Sequence, residues 1–347
     1  MAVDVPKDYW AFFASEALRG HSPLYQRLAL GVRETPELQA LAAHARKGQP
    51  HANILFGAVH YLLLGGLSDA LADYYPSVRP AARPQGDVFP LFAAFCKANE
   101  RDLLPLIKTR VTNTNEVARS ATLYPAFDFI ARETGEALHL IEIGPSAGLN
   151  MNWDRYLYSY MRDGRVAIER GAHGSKVHLT PELRSAAVPP LLARMPEVAN
   201  RVGLELNPVD LSKPEDRLWL KALIWPELTA RFARFDGAME VALAHPQRIW
   251  PGDALALLPD AVTRELPPNG AAVVYHSHVT YQFSEEMRAR LNELLMTLSC
   301  KRPIYRLSIE WDGADYPINL GRYDGGEPTR RTLGHCDPHG SWLGWTA

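Results

Sequence analysis

Between Asp8 and Glu133 the apolar residues recur at spacings of three and four: Tyr9, Phe12, Phe13 and Leu18, then Leu24, Leu28 and Val32, then Leu38, Leu41 and Ala45. That period lays one apolar stripe along each of several amphipathic helices. Pro23, Pro36, Pro50 and the stretch 76–86 fall between the stripes and break them. The pattern predicts an all-helical N-terminal cap domain over residues 1–133. It changes at Ala137, where Leu138, Leu140, Ile141 and Ile143 form a short apolar run ended by Gly144, and 149–161 is long enough for a helix. Runs of the same kind recur at 201–206, 248–250, 271–276 and 303–309, with helical stretches at 214–244 and 284–299. Alternation of strands and helices predicts a Rossmann-like α/β domain over 134–347, a mostly parallel sheet flanked by helices. The Gly- and Pro-rich stretch 162–200 reads as an irregular insertion after the first crossover helix, and 321–347 as a loop followed by a short last strand.

The glycine turn is the first candidate for chemistry. Glu142, Gly144, Pro145, Ser146, Ala147, Gly148 and Asn150 lie where a strand passes into the next element. There the backbone can approach a nucleotide cofactor and amide groups can face it. The second predicted strand ends at Glu205, a hydrogen-bond acceptor placed for ribose hydroxyls. After the third come Asp253 and Ala254, with Asp253 placed to accept from an adenine amino group. For both acids the plainer reading is a helix cap or a solvated loop carboxylate. His276 and His278 follow the strand 271–275, at the edge where open α/β sheets bind ligands. A histidine there is a candidate general base, and a hydrogen-bonded loop histidine is the alternative.

Asn113, Asn115 and Arg119 in and after the segment TNTNE, with Tyr156, His335 and His339, are candidates to line a substrate cleft between the two domains. Helix capping is the competing role for the TNTNE amides. The cluster His335, Cys336, Asp337 and His339 matches no zinc-ligand spacing, so no metal is assigned. Gly144 to Gly148 also satisfies G-x-S-x-G, the nucleophile elbow of serine hydrolases. That elbow needs strands upstream of it, and everything before Ala137 reads as helix.

Glu142, the turn, Glu205 in GLELNP and Asp253 in GDA resemble the first three motifs of class I S-adenosylmethionine-dependent methyltransferases. The resemblance implies that Gly144, Gly148, Glu205 and Asp253 hold S-adenosylmethionine, and that His276 or His278 stands beside the reacting centre. The alternative is a protein that binds the cofactor as a sensor without transfer. The turn lacks the G-x-G-x-x-G fingerprint of NAD binding. At whole-chain level TNTNE, EIGPSAGLN, DRYLY, NPVD, HSHV and GHCDPHG resemble the DUF2332 family of bacterial proteins.

Composition narrows the partners. The 347 residues are 47% hydrophobic and 22% charged, enough for a large core, and a net charge of −2 offers no basic excess for nucleic acid. A small-molecule substrate is the expected partner. The apolar stretch 54–67 is short of a membrane span and is interrupted by His60, Gly65 and Gly66. Residues 1–10 carry Asp4 and Asp8 and no secretory pattern, and three scattered cysteines suggest no disulfide framework. These features predict a cytoplasmic protein.

Overall fold

The computed structural model describes residues 8–113, 115–267 and 269–347. Residues 1–7, most of the segment examined for a secretory pattern, lie outside them. The chain divides into two compact units: the described residues of Ala2–Thr114 with Asp210–Ala233, and Asn115–Val209 with Arg234–Ala347.

The first unit is helical: α1 (Tyr9–Arg19), α2 (Pro23–Arg33), α3 (Pro36–Ala42), α4 (His51–Leu64), α5 (Phe89–Ala98), α6 (Glu100–Thr109) and, from later in the chain, α8 (Pro214–Ala222). The starts follow from local chemistry. Asp8 and Ser22 accept hydrogen bonds from Ala11 and Tyr25 N–H, and Pro23 and Pro36 open α2 and α3. The three-four stripes bury Phe13, Leu24, Leu28, Val32, Leu38 and Leu41 in one core with Phe56 and Phe92. The apolar stretch at 54–67 is the buried helix α4, and among the described residues no helix is long and apolar enough to cross a membrane.

The second unit holds a twelve-stranded sheet. Its centre is parallel: β1 (Leu138–Ile143) lies between β6 (Val198–Glu205) and β8 (Ala271–Ser277), with β7 (Ile249–Pro251) beyond β6 and β9 (Ile304–Ile309) beyond β8. All six residues of β1 are buried, as a strand covered on both faces requires. One face packs Ile141, Ile143, Val202, Leu204 and Val274 with Leu258, Leu291 and Leu295 of α10 (Ala254–Glu265) and α11 (Glu285–Ser299). On the other, Phe127 of α7 (Ser120–Thr134) meets Tyr275 edge-on at 5.0 Å and stacks on Trp153 at 4.7 Å.

The structure departs from the sequence reading at four places. The stretch 149–161 is no crossover helix: a 3-10 turn (Asn150–Arg155) leads into β2 (Leu157–Arg162), where Tyr158 and Tyr160 are buried. The stretch 162–200 contributes β3 (Arg165–Gly171), β4 (His178–Leu179), β5 (Glu182–Leu183) and the start of β6. The C-terminal segment is a meander in which β10 (Pro317–Tyr323) and β11 (Thr329–Cys336) continue the sheet antiparallel from β9, and β12 (Trp342–Trp345) joins it to β5. The stretch 214–244 is two helices, α8 and α9 (Thr229–Ala244). The sheet is therefore mixed and mostly parallel.

Candidate functional site

The chain runs from β1 outward through β6 to β7, then returns to place β8 on the other side of β1. Strand order reverses between β1 and β8, and a crevice opens at the carboxyl ends of such a pair. Among the described residues, two of the four non-glycine residues with positive φ sit at these two ends, Ser146 at +57° and His278 at +55°. Backbone of that kind is costly and persists where the surroundings impose it.

Gly144 ends β1 with φ +71°, and a Cβ there would stand 2.7 Å from Val279 Cγ2. Only glycine lets the turn after β1 approach the loop after β8 so closely. Glu205, at the end of β6, ties the turn to its neighbour: Oε2 accepts from Ser146 N–H at 2.8 Å and Oε1 from Asn207 N–H at 3.0 Å. Each carboxylate oxygen retains a second lone pair for a ligand hydroxyl. Asn115 holds the turn from the opposite side, donating to Ser146 Oγ at 2.8 Å and accepting from Ala147 N–H at 3.2 Å. Asn150 accepts from Ser120 Oγ at 2.8 Å and donates to the Glu116 carbonyl at 3.2 Å. Glu116, rather than an Asn or Thr, caps the short helix 117–119. Thr114 lies outside the described residues. Among the described residues the hydroxyl of Ser146 has Asn115 as its partner, which cannot take a proton as a hydrolase base must.

Glu142 is 4% exposed and accepts from the Tyr275 hydroxyl at 2.8 Å. Burial pushes its carboxyl up to about 8; the Tyr275 hydrogen bond opposes that shift and the neighbouring Glu205 charge adds to it. A raised pKa means that the folded protein keeps a proton the unfolded chain has lost. Stability from this group is complete below about pH 4.5 and is lost as pH rises through about 8. Glu142→Gln has no proton to lose. Its stability advantage over the wild type grows by roughly 2 kcal/mol between pH 5 and 9, about half of what the full shift implies, since a buried site relaxes around charge. Melting curves across that range check this; parallel curves for the two proteins refute it.

Of the two candidate bases, His276 does not serve. It is fully buried, with Nδ1 2.7 Å from Glu310 Oε1 and Nε2 receiving the Arg306 guanidinium at 3.0–3.1 Å. A guanidinium only donates, so Nε2 accepts and Nδ1 carries the proton. Burial holds this imidazole below its usual pKa, and neither nitrogen is left for a substrate. His278 differs. Burial and then the Arg119 charge lower it to about 3, its ring lies 4.8 Å from Tyr316, and among the described residues its buried Nε2 has no hydrogen-bond partner.

The GHCDPHG string closes the site from the C-terminal side. Arg119, 9% exposed, donates through Nε to the Pro338 carbonyl at 2.9 Å, and its charge acts on Glu142, His278, Tyr281 and Tyr316. Asp337 accepts from the N–H groups of His339 and Ser341 at 2.9 and 3.2 Å, which folds 337–341 into a tight turn. Thus Asn115, Arg119, the glycine turn, His278 and the 337–341 turn, from four separate strings, converge in the sheet unit.

Other candidates fall elsewhere. Tyr156 is buried, its hydroxyl donating to the Leu149 carbonyl at 2.5 Å, so it supports the turn from beneath and lines no cleft. His335, half-buried, has Nδ1 3.3 Å from Asp315 Oδ2. Asp253 is exposed and caps α10 through Leu255 N–H, and Ala254 is the first residue of that helix. Asn113 belongs to the helical unit. Glu310 was missed in the sequence; besides His276 it accepts from Val279 and Thr280 N–H at 2.9 and 3.1 Å, fixing the loop that carries His278. Among the described residues no group of three or more His, Cys, Asp or Glu is placed to hold a metal.

Residues 7–345 match the family described as "Uncharacterized protein conserved in bacteria (DUF2332)". The chain belongs to the DUF2332 family. No curated protein and no solved structure matches this DUF2332 chain, so the roles of its residues rest on the geometry above.

Proposed function

We propose that the sheet unit of this DUF2332 protein binds S-adenosylmethionine at the β1–β8 crevice and transfers its methyl group to a small acceptor. The observation that carries the proposal is the Glu205 carboxylate, which reaches from the end of β6 to the amide of Ser146 in the turn after β1. A nucleoside lying across that turn meets backbone amides on one side and the free lone pairs of Glu205 on the other. The order β7-β6-β1-β8-β9 supports a Rossmann-like reading; Asp253, after β7, spends one carboxylate oxygen on the cap of α10 and has the other for an adenine amine, a smaller role than that of Glu205. The strand-built connection between β1 and β6, in place of a crossover helix, is this chain's own departure.

Methyl transfer mainly needs the nucleophile held in line. His278 is neutral at physiological pH, and its open Nε2 can accept a hydrogen bond from the acceptor. A base held at about 3 is a poor proton sink, which favours acceptors whose nucleophile needs no deprotonation before transfer. The same weakness favours, as a second reading, a sensor that binds the cofactor without turnover.

Calorimetric titration with S-adenosylmethionine and S-adenosylhomocysteine tests the binding claim. Micromolar affinity in the wild type should weaken about 10- to 100-fold in Glu205→Ala, the size of hydrogen bonds to a charged group, and less in Asp253→Ala. Absence of heat with both ligands, or equal affinity in Glu205→Ala, overturns the proposal. Acceptor-dependent loss of the methyl donor separates the enzyme from the sensor.

A further inference from the structure

The string DRYLY contributes nothing to the crevice, although three of its side chains are fully accounted for. Tyr156 and Tyr158 are buried, and Asp154 takes two hydrogen bonds from Arg201, at 2.6 and 2.7 Å. Arg155 is the exception. Its guanidinium has no hydrogen bond or ion pair among the described residues, and its Nε is buried without an acceptor. An arginine keeps its proton, so this group stays a cation with open donors, and an anion is the partner that suits it.

The surroundings supply a place for one. Arg155 stands between two hollows of the sheet unit, of about 420 and 460 Å³. The smaller is lined by three arginines, Arg155, Arg201 and Arg248, with His245, Asn200 and Gln247, and by no carboxylate. Arg201 is neutralised by Asp154 and Arg248 by Glu265, so these two are held rigidly while Arg155 keeps its charge unspent. Asn200 and Gln247 donate elsewhere, to Glu265 and to Asn152 and the His245 carbonyl, which leaves Arg155 as the principal donor toward the hollow. The larger hollow is lined by Lys176 and also by the carboxylates Asp154 and Glu240, which makes it the less suitable of the two for an anion. The other residues around the smaller hollow, Val198, Ala199, Ala244 and Pro246, are small and add little apolar surface, less than a lipid chain would need.

We propose that Arg155 is the anchor of an anion site, separate from the glycine turn, that takes the phosphoryl group of a soluble small molecule. A planar guanidinium with several parallel donors matches the oxygens of a phosphoryl group in a way a lone ammonium does not. The proposal is independent of the methyltransferase reading, since it rests on none of the crevice residues.

Titrations with inorganic phosphate and with pyrophosphate, at constant ionic strength made up with chloride, test it on the full chain. Wild-type protein should bind both and show a raised melting midpoint. Arg155→Gln should weaken binding about 10- to 100-fold while nearly keeping the ligand-free midpoint, because no hydrogen bond or ion pair to the described residues is lost. Arg155→Lys, which keeps the charge but not the fork, should fall between them and decides the matter should the glutamine variant fold poorly. Equal affinity in wild type and Arg155→Lys, absence of binding above the chloride control, or Arg155-dependent binding to phosphatidic acid vesicles without a response to phosphate overturns the proposal.

Discussion

Gly340→Ala lowers the melting midpoint of the sheet unit by roughly 10 °C, about three times the loss caused by Gly164→Ala. The two glycines share nearly the same backbone, φ +74° and +71°. A left-handed backbone costs an L-residue about 1 kcal/mol, and that is the whole cost at Gly164, where an added Cβ meets nothing within 4 Å. At Gly340 the Cβ would stand 2.2 Å from the Ala118 carbonyl oxygen and 2.9 Å from Arg119 N. These are backbone atoms at the start of a buried segment, so neither can swing aside, and overpacking of this kind adds about 1–3 kcal/mol. The sum, about 3 kcal/mol, converts at about 2–4 °C per kcal/mol for a unit of this size. The comparison also tests the convergence of the site. If the 337–341 turn were not seated on Arg119, the two substitutions would cost the same, and equal midpoints would show that the strings do not meet. If the proposed S-adenosylmethionine site is right, a seated turn predicts a second result, that Gly340→Ala weakens binding of that ligand whereas Gly164→Ala leaves it unchanged.

What the sequence disclosed of this arrangement depended on how local the cause was. The glycine turn was legible because an unbroken apolar run, Leu138 to Ile143, ends in a glycine whose freedom is needed on the spot. The helices of the first unit were legible for the same reason, since caps at Asp8 and Ser22 and the three-four stripes act within one turn. The strands β2 to β5 were not. Tyr156, Tyr158 and Tyr160 recur at two, a strand period, but lie in a stretch of helix-compatible length after a glycine turn. The two-residue strands β4 and β5 have no period at all, and their pairing with β2 and β12 is decided by partners far along the chain. The antiparallel pair β10–β11 was hidden by glycine and arginine at positions where cross-strand contacts, not burial, choose the conformation. The site followed the same rule. Position along the strands put Glu205 and His278 at strand ends, as the structure does, but could not tell that His276 faces Glu310 and Arg306, because the partner strand and its register lie about thirty residues further on. Glu310 itself, in the sequence Ile309-Glu310-Trp311, carries no motif; its role exists only once β9 is paired with β8.

Glu310→Ala should be the most destabilising single change at the crevice, at roughly 4 kcal/mol, with Glu310→Gln costing well under half of that. The carboxylate accepts from His276 Nδ1 at 2.7 Å and from the N–H groups of Val279 and Thr280 at 2.9 and 3.1 Å. Removing it strands three donors in a protected place, at about 1–3 kcal/mol for each buried group left unsatisfied. Glutamine retains an acceptor oxygen for the two amides and gives up the charge. The two variants differ in pH dependence as well. Burial alone would raise the Glu310 carboxyl, but the His276 hydrogen bond and the two amides outweigh it and hold the group below its usual value of 4.5. A depressed pKa means that this stabilisation is complete above about pH 4.5 and is lost as pH falls through the folded value. His276, also depressed, takes up a proton in the unfolded chain below about pH 6.5 while the folded protein resists it, so its contribution declines as pH drops below 6.5. In Glu310→Gln the acid limb due to Glu310 disappears and the one due to His276 remains, steeper because the neutral amide no longer favours the imidazolium. Melting midpoints from pH 4 to 8 read both limbs. A glutamine variant with the wild-type profile would show that Glu310 does not set the charge state of His276. An alanine variant as stable as wild type would show that the loop carrying Val279 against Gly144, and His278 beside it, is held by something other than this carboxylate. Under the proposed function, in which that loop borders the bound S-adenosylmethionine, loss of affinity for it should track loss of stability across the two variants.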